Sequence, residues 1–214
     1  MTDYLGPHWE SAALVVIDVQ NDFLEGGAAP VAGTREVLPA LAETTAAFRR
    51  SGRPIAHIVR FYQPGGCDVD LPRRAAVEAG RRIVVPGSPG SQIPSVLLPA
   101  EVALDSEKLL AGAPQTLTGS GGEVVFFKPC WSAFHRTGLE SWLQETGCDT
   151  VVVAGCNLPN CPRATLFDAS ERDFRTVLVT DAVSQVTPER LVDLEGIGVQ
   201  LRESAQVVDA LSRS

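Results

Sequence analysis

No hydrophobic run in this chain is long enough to cross a bilayer. The longest, Ala12 to Ile17, falls far short of the roughly 20 apolar residues that a spanning helix needs. A basic, apolar leader is also missing, since the chain opens Met1-Thr2-Asp3-Tyr4, so the expectation is a cytoplasmic protein with no membrane partner. Repeats and low-complexity tracts are absent. Positive charge is in deficit: 18 Lys and Arg face 26 Asp and Glu, a formal net charge of −8. That excludes a basic surface tracking phosphates, so no nucleic-acid partner is expected, and Arg73-Arg74 and Arg81-Arg82 read as solvated helix faces. Cysteine is sparse and odd in number, five in 214 residues, which argues against a secreted disulfide framework. No CxxC pair occurs, and the Cys156–Cys161 separation is not a zinc spacing. The histidines, His8, His57 and His135, form neither HxH nor HExxH, so no metal site and no cofactor is expected.

What the chain has instead is a series of short, β-branched apolar runs. Ala13–Ile17, Ile55–Val59, Glu123–Phe127, Thr150–Ala154 and Thr176–Val179 read as five strands, and Gln206–Val208 as a short sixth or part of a terminal helix. Most lack polar alternation, the habit of parallel strands buried on both faces. Helical patterns alternate with them: Val37–Arg50, Leu139–Gln144, Arg163–Arg172 and Pro188–Leu194. Such alternation implies one three-layer α/β domain over residues 1–214. Residues 63–122, rich in Gly and Pro and without a strong strand, read as a lid or binding wall.

In open α/β sheets ligands bind beyond the carboxyl ends of the strands. Three reactive residues fall there: Asp18 after the first strand, Lys128 after the third, and Cys161 six residues past Gly155, the end of the fourth. Each has an ordinary reading. An Asp in such a place caps a turn, a Lys is a solvated charge facing a cleft, and a Cys is a small buried hydrophobe. Their shared edge favours chemistry. Pro162 makes Cys161 the expected N-cap of the following helix, where the helix dipole favours thiolate and free amides can hold an oxyanion. No histidine sits at a strand end. His57 is mid-strand and reads as a core residue, so Asp18 is the candidate base and Lys128 the candidate partner.

Three segments carry a resemblance. Val16-Ile17-Asp18-Val19-Gln20-Asn21-Asp22-Phe23 resembles the DxQxDF motif of the isochorismatase-like cysteine hydrolases, the superfamily of nicotinamidases and N-carbamoylsarcosine amidohydrolase. Lys128-Pro129-Cys130-Trp131-Ser132-Ala133-Phe134 resembles its KxxxSAF motif. Ala154-Gly155-Cys156-Asn157-Leu158-Pro159-Asn160-Cys161 resembles its nucleophile motif. Their order and spacing match the family, and the resemblance extends over nearly the whole chain, roughly residues 10 to 210.

The resemblance implies a Rossmann-like sheet of six mostly parallel strands in the order 3-2-1-4-5-6, and a homodimer or homotetramer. It implies Cys161 as nucleophile, Asp18 as base and Lys128 as third catalytic member, with the Asn157 and Cys161 N–H groups as oxyanion hole. A cis peptide at Cys156–Asn157 is implied too; on chemistry alone Leu158–Pro159 is the rival. Phe23, Gln20, Trp131 and Gln63 are the expected substrate-binding residues. True isochorismatases lack the cysteine, so its presence argues for C–N hydrolysis through a thioester. Metal-dependent nicotinamidases carry Asp-x-His…His after the second strand. Here that stretch, Arg60 to Asp68, has no His. The family Arg two residues after the Lys is Cys130 here. The expectation is a metal-free cysteine amidohydrolase acting on a small amide, ureide or lactam. Asp22, Asp68 and Asp70 would suit a cationic one, of which a streptothricin-type lactam is an example. The rival readings are a non-catalytic relative and a thiol-redox protein using Cys161 and Cys156.

Overall fold

Strands that carry apolar residues on both faces need a layer of helices on each side, and the computed structural model, describing residues 3–66, 69–118 and 122–214, provides both. The strands are β1 (Ala12–Ile17), β2 (Ile55–Val59), β3 (Gln115–Thr116), β4 (Glu123–Phe127), β5 (Thr150–Gly155), β6 (Arg175–Val183) and β7 (Gln200–Arg202). The helices are α1 (Leu38–Arg50), α2 (Leu71–Glu78), α3 (Ser106–Leu110), α4 (Leu139–Glu145), α5 (Cys161–Ser170), α6 (Pro188–Glu195) and α7 (Ser204–Leu211). The sheet order is β3-β4-β2-β1-β5-β6-β7. Apart from β3, which pairs antiparallel with β4, every pairing is parallel. The parallel strands therefore follow the expected order, and the two-residue β3 adds an edge that was not expected.

The period of two along β1 shows how the layers form. Leu14 and Val16 enter one core with Leu41 and Phe48 of α1 and Val207 and Leu211 of α7. Ala13, Val15 and Ile17 enter the other with Leu139 and Leu143 of α4, Leu166 and Ala169 of α5, and Leu194 of α6. Each such Leu or Phe contributes about 1.5–3 kcal/mol on full burial.

Of the two readings left open for Gln206–Val208, the terminal helix holds: the segment lies inside α7, and the last strand is β7 just before it. A reciprocal capping box between Glu203 and Gln206 starts the helix there, and Asp181 accepts hydrogen bonds from the backbone and hydroxyl of Ser204. Residues 63–122 are not a bare loop. Ile93, Leu97, Leu104 and Leu109 are buried in the α1-side core, while α2 packs Val77 with Phe23, Tyr62 and Ile83 over the carboxyl edge of the sheet. His57 is in the core as expected, its Nε2 2.8 Å from Glu123 at the opposite edge.

The carboxyl ends of β1 and β5 touch closely. Cys156 N–H donates to Ile17 O at 2.8 Å, and a Cβ on Gly155 would stand 2.2 Å from that same oxygen. Gly155 also has φ +120, outside the range of L side chains. Gly155→Ala is therefore expected to lower stability by at least about 2 kcal/mol, read from denaturant unfolding. An unchanged midpoint would show that the strand ends can part at no cost.

Candidate active site

β1, β4 and β5 all end at this edge, and the residues that follow them converge. Asp18 follows β1 with φ +52, a left-handed conformation that Asp adopts more readily than most residues. Its N–H donates to Ile58 O at 2.9 Å. Lys128 follows β4, and its N–H donates to Val59 O at 3.0 Å. With β2 between β4 and β1, the two residues start about 10 Å apart at the ordinary strand spacing. The lysine stem spans that gap. Lys128 Nζ lies 2.7 Å from Asp18 Oδ2, 3.2 Å from Cys161 Sγ and 3.1 Å from Cys130 O. Lys128 is wholly buried and Asp18 nearly so. The ordinary reading of a strand-end lysine as a solvated charge does not apply here: its charge has protein partners instead of water.

Cys161 is the first residue of α5 and Asn160 the cap before it, so the expected N-cap is displaced by one residue. The Cys161 N–H is still among the unpaired donors of the first turn. Neither it nor the Asn157 N–H donates to another residue among those described. The cis bond is Cys156–Asn157; Leu158–Pro159 is not cis. Thr165 ties α5 to the segment after β4: its hydroxyl donates to Cys161 O at 2.8 Å and accepts from Ala133 N–H at 3.0 Å.

The thiol is not poised as thiolate. Burial first, and then the Asp18 carboxylate, push it up to about 12, against the pull of Lys128 and Arg60. The sequence expectation, built on the helix dipole, is reversed because desolvation and a nearby full charge outweigh a partial one. Asp18 Oδ1 is buried and accepts no hydrogen bond, which leaves it open to a proton.

Of the expected substrate-binding residues, Phe23 and Trp131 line a cavity of about 340 Å³ over Cys161. Gln20 does not. Its amide is consumed in tying β1 to its neighbours, donating to Arg60 O and Ser91 O at 2.9 and 2.7 Å and accepting from Arg60 N–H at 2.8 Å. Gln63 lines a neighbouring hollow on the far side of Asp70, Pro72 and Trp131.

Residue-by-residue reading of the sequence missed Arg60, Tyr62 and Arg73, all on the cavity wall. Arg60 had a signal, since it directly follows β2 at the same edge. It is buried, donates to Asp70 at 2.7 Å and to Cys130 O at 2.9 Å, and lies over the Tyr62 ring. Burial opposes its charge, but Tyr62, Asp18 and Asp70 outweigh that and raise its pKa. Asp70 also accepts from Tyr62 OH at 2.8 Å and Trp131 Nε1 at 3.4 Å. Asp22 is engaged by the backbone of Ala28 and Val84. Both carboxylates that would suit a cationic substrate thus already have partners, and Asp68, with Cys67, lies outside the described residues. Among the described residues no three His, Cys, Asp or Glu side chains gather into a metal-binding cluster, and no helix is long and apolar enough to cross a membrane.

The Isochorismatase domain model matches residues 12–195, which span all three converging segments. The chain belongs to the isochorismatase family. A family protein from Desulfovibrio vulgaris superposes with a TM-score of 0.79 at 33% identity, covering 95% of this chain and 99% of that one. Among relatives, an Arabidopsis thaliana protein named "Probable inactive nicotinamidase" is 32% identical over 203 residues, 92% of this chain and 94% of its own. The ureidoacrylate amidohydrolase RutB of Methylobacterium radiotolerans is 30% identical over 191 residues, 83% of this chain and 69% of its own. In this isochorismatase-family chain one lysine bonds both an aspartate and a cysteine, and the state of that thiol is measurable. Because the thiol is pushed up to about 12, its alkylation by iodoacetamide should climb about tenfold per pH unit from pH 7 to 10 without levelling. A plateau near neutrality, followed by mass spectrometry of the Cys161 peptide, would show a resting thiolate instead.

Proposed function

We propose that this protein is a cysteine amidohydrolase that cleaves a C–N bond of a small amide or ureide through a thioester on Cys161. The observation that carries the reading is the Lys128 ammonium, hydrogen-bonded at once to Asp18 at 2.7 Å and to the Cys161 sulfur at 3.2 Å in a buried site. The similarity to a ureidoacrylate amidohydrolase over most of the chain supports it. The cavity volume of about 340 Å³ sits at the small end of ligand pockets, in keeping with a small substrate.

The chemistry follows from the resting states. A neutral thiol is a weak nucleophile, so its proton must leave as the sulfur attacks. Asp18 Oδ1 takes that proton, and Lys128 stabilises the sulfur and keeps Asp18 in place. The C–S bond forms, and the carbonyl oxygen becomes an oxyanion facing the unpaired N–H groups of Asn157 and Cys161. The C–N bond breaks, and Asp18 returns the proton to the departing nitrogen. A water then gives a proton to Asp18 and attacks the thioester. The C–S bond breaks, the acid is released, and the proton returns to Cys161. No step calls on a metal. The residues after β2, Arg60 and Tyr62, offer a guanidinium and a phenol held protonated by burial, which are poor donors to a cation. The buried Lys128–Asp18 pair also has a structural consequence: Lys128→Met would strand the Asp18 charge and cost about 3–5 kcal/mol of stability as well as rate.

The reading that this chain is a non-catalytic relative draws on the name of its Arabidopsis relative. A screen of amides and ureides for ammonia release decides between them, with chelator added throughout. Turnover that persists with chelator and vanishes in Cys161→Ala is the expected result. Asp18→Asn gives a sharper test. It should cut turnover by about 10²–10⁴-fold, yet speed alkylation of Cys161, because Asp18 is one of the groups that raise the thiol. A variant slowed in both reactions would make Asp18 a structural support and not the base.

A further inference from the structure

The cavity over Cys161 carries more positive charge than its catalytic groups account for. Two carboxylates line it, Asp18 and Asp70, and each has its own cation: Lys128 at 2.7 Å and Arg60 at 2.7 Å. Arg73 and Arg81 remain. Arg81 has one nitrogen on Ala28 O at 2.9 Å on the exposed rim. Arg73 differs. It is half-buried on α2, and among the described residues its guanidinium has neither a hydrogen bond nor an ion pair. What holds it is the Phe23 ring, whose centroid lies 5.6 Å from the guanidinium carbon. A cation held over a ring face keeps its N–H edge free, and that edge offers donors in a planar fork.

The geometry points to Arg73 as the residue that binds a carboxylate on the substrate, so that the preferred substrates are amides and ureides that also carry a carboxylate. This rests on the amidohydrolase reading and narrows it to a substrate class. A carboxylate meets the fork bidentately and neutralises a lining cation that has no polar partner among the described residues. An ammonium-bearing substrate would meet Arg60, Arg73 and Arg81 with no free carboxylate to receive it among the described residues, and like charges in a confined site disfavour binding. Phe23 then acts through Arg73, because its ring sets the position of the guanidinium.

The test compares acids with their own methyl esters. Maleamate, 3-ureidopropionate and the methyl ester of each are titrated by calorimetry into Cys161→Ala, which cannot be acylated, and into Cys161→Ala carrying Arg73→Met or Arg73→Lys. Methionine keeps an apolar stem against Phe23, so packing and charge are separated. The acids should bind about 10–100-fold more tightly than their esters, a preference that Arg73→Met erases and Arg73→Lys partly restores. In the otherwise unaltered chain, Arg73→Met should raise KM for the acids with kcat little changed. Equal binding of acid and ester, no binding of either acid, or an equal loss for both in Arg73→Met overturns the assignment. The two readings fail separately. Ammonia released equally from acid and ester leaves the amidohydrolase and removes Arg73 from recognition. An Arg73-dependent preference for acids with no ammonia from any substrate leaves the carboxylate site and removes the activity.

Discussion

A lysine and an aspartate buried together at the carboxyl edge of the sheet constrain nearly everything around them. Burying two charges is expensive, and it is tolerated only where the geometry is good and the remaining hydrogen-bonding capacity is used. Lys128 uses its three donors on Asp18, Cys161 and the Cys130 carbonyl. Asp18 leaves one oxygen unbonded. Among the described residues Arg53 Nε and His57 Nδ1 are also buried without a partner, but the Asp18 oxygen is the unsatisfied acceptor of the cluster itself, and such departures call for an explanation. The close approach of β1 and β5 at Gly155 and the reach of lysine across β2 are what make the cluster possible.

A second layer of charge surrounds the first. Arg60 holds Asp70, and Asp70 in turn gathers Tyr62 and Trp131, so that β2, α2 and the segment after β4 are locked into one wall. Satisfied networks of this kind fix geometry as well as charge. Among the described residues the wall balances its own charge except at Arg73 and Arg81, and of these only Arg73 has no hydrogen bond. The pocket thus combines an internally neutral Lys128–Asp18 pair with a wall that, among the described residues, carries the unpaired charges of Arg73 and Arg81.

Much of this was legible in the chain. The five main strands, their parallel habit and the helices between them follow from short apolar runs alternating with longer periodic ones, and Asp18, Lys128 and Cys161 stand out because each follows a strand. The segment 63–122 was legible only as punctuation. Ile93, Leu97, Leu104 and Leu109 are buried in the core, yet no regular period marks them, because loop segments, a single 3-10 turn at Leu97 and the five-residue α3 at Leu109 bring them inward, all too short to show a period. Gln206–Val208 has the composition of a strand, but the local capping box of Glu203 and Gln206 decided for helix. The roles of Gln20 and Asp70 were hidden for another reason: a polar side chain in a motif looks the same whether it faces a ligand or a backbone carbonyl.

By itself, then, the sequence determined the α/β class, the order of the reactive residues along the chain and the edge at which they emerge, because strand and helix periodicity and motif spacing are local properties. Tertiary structure decided the protonation state of Cys161, the burial of Lys128 and the sign of the charge left over in the cavity. Those depend on which groups from distant segments approach within a few ångströms, and on how much water is excluded when they do. A helix N-terminus predicts a thiolate; only the neighbourhood of Asp18 and the depth of burial turn it back into a thiol.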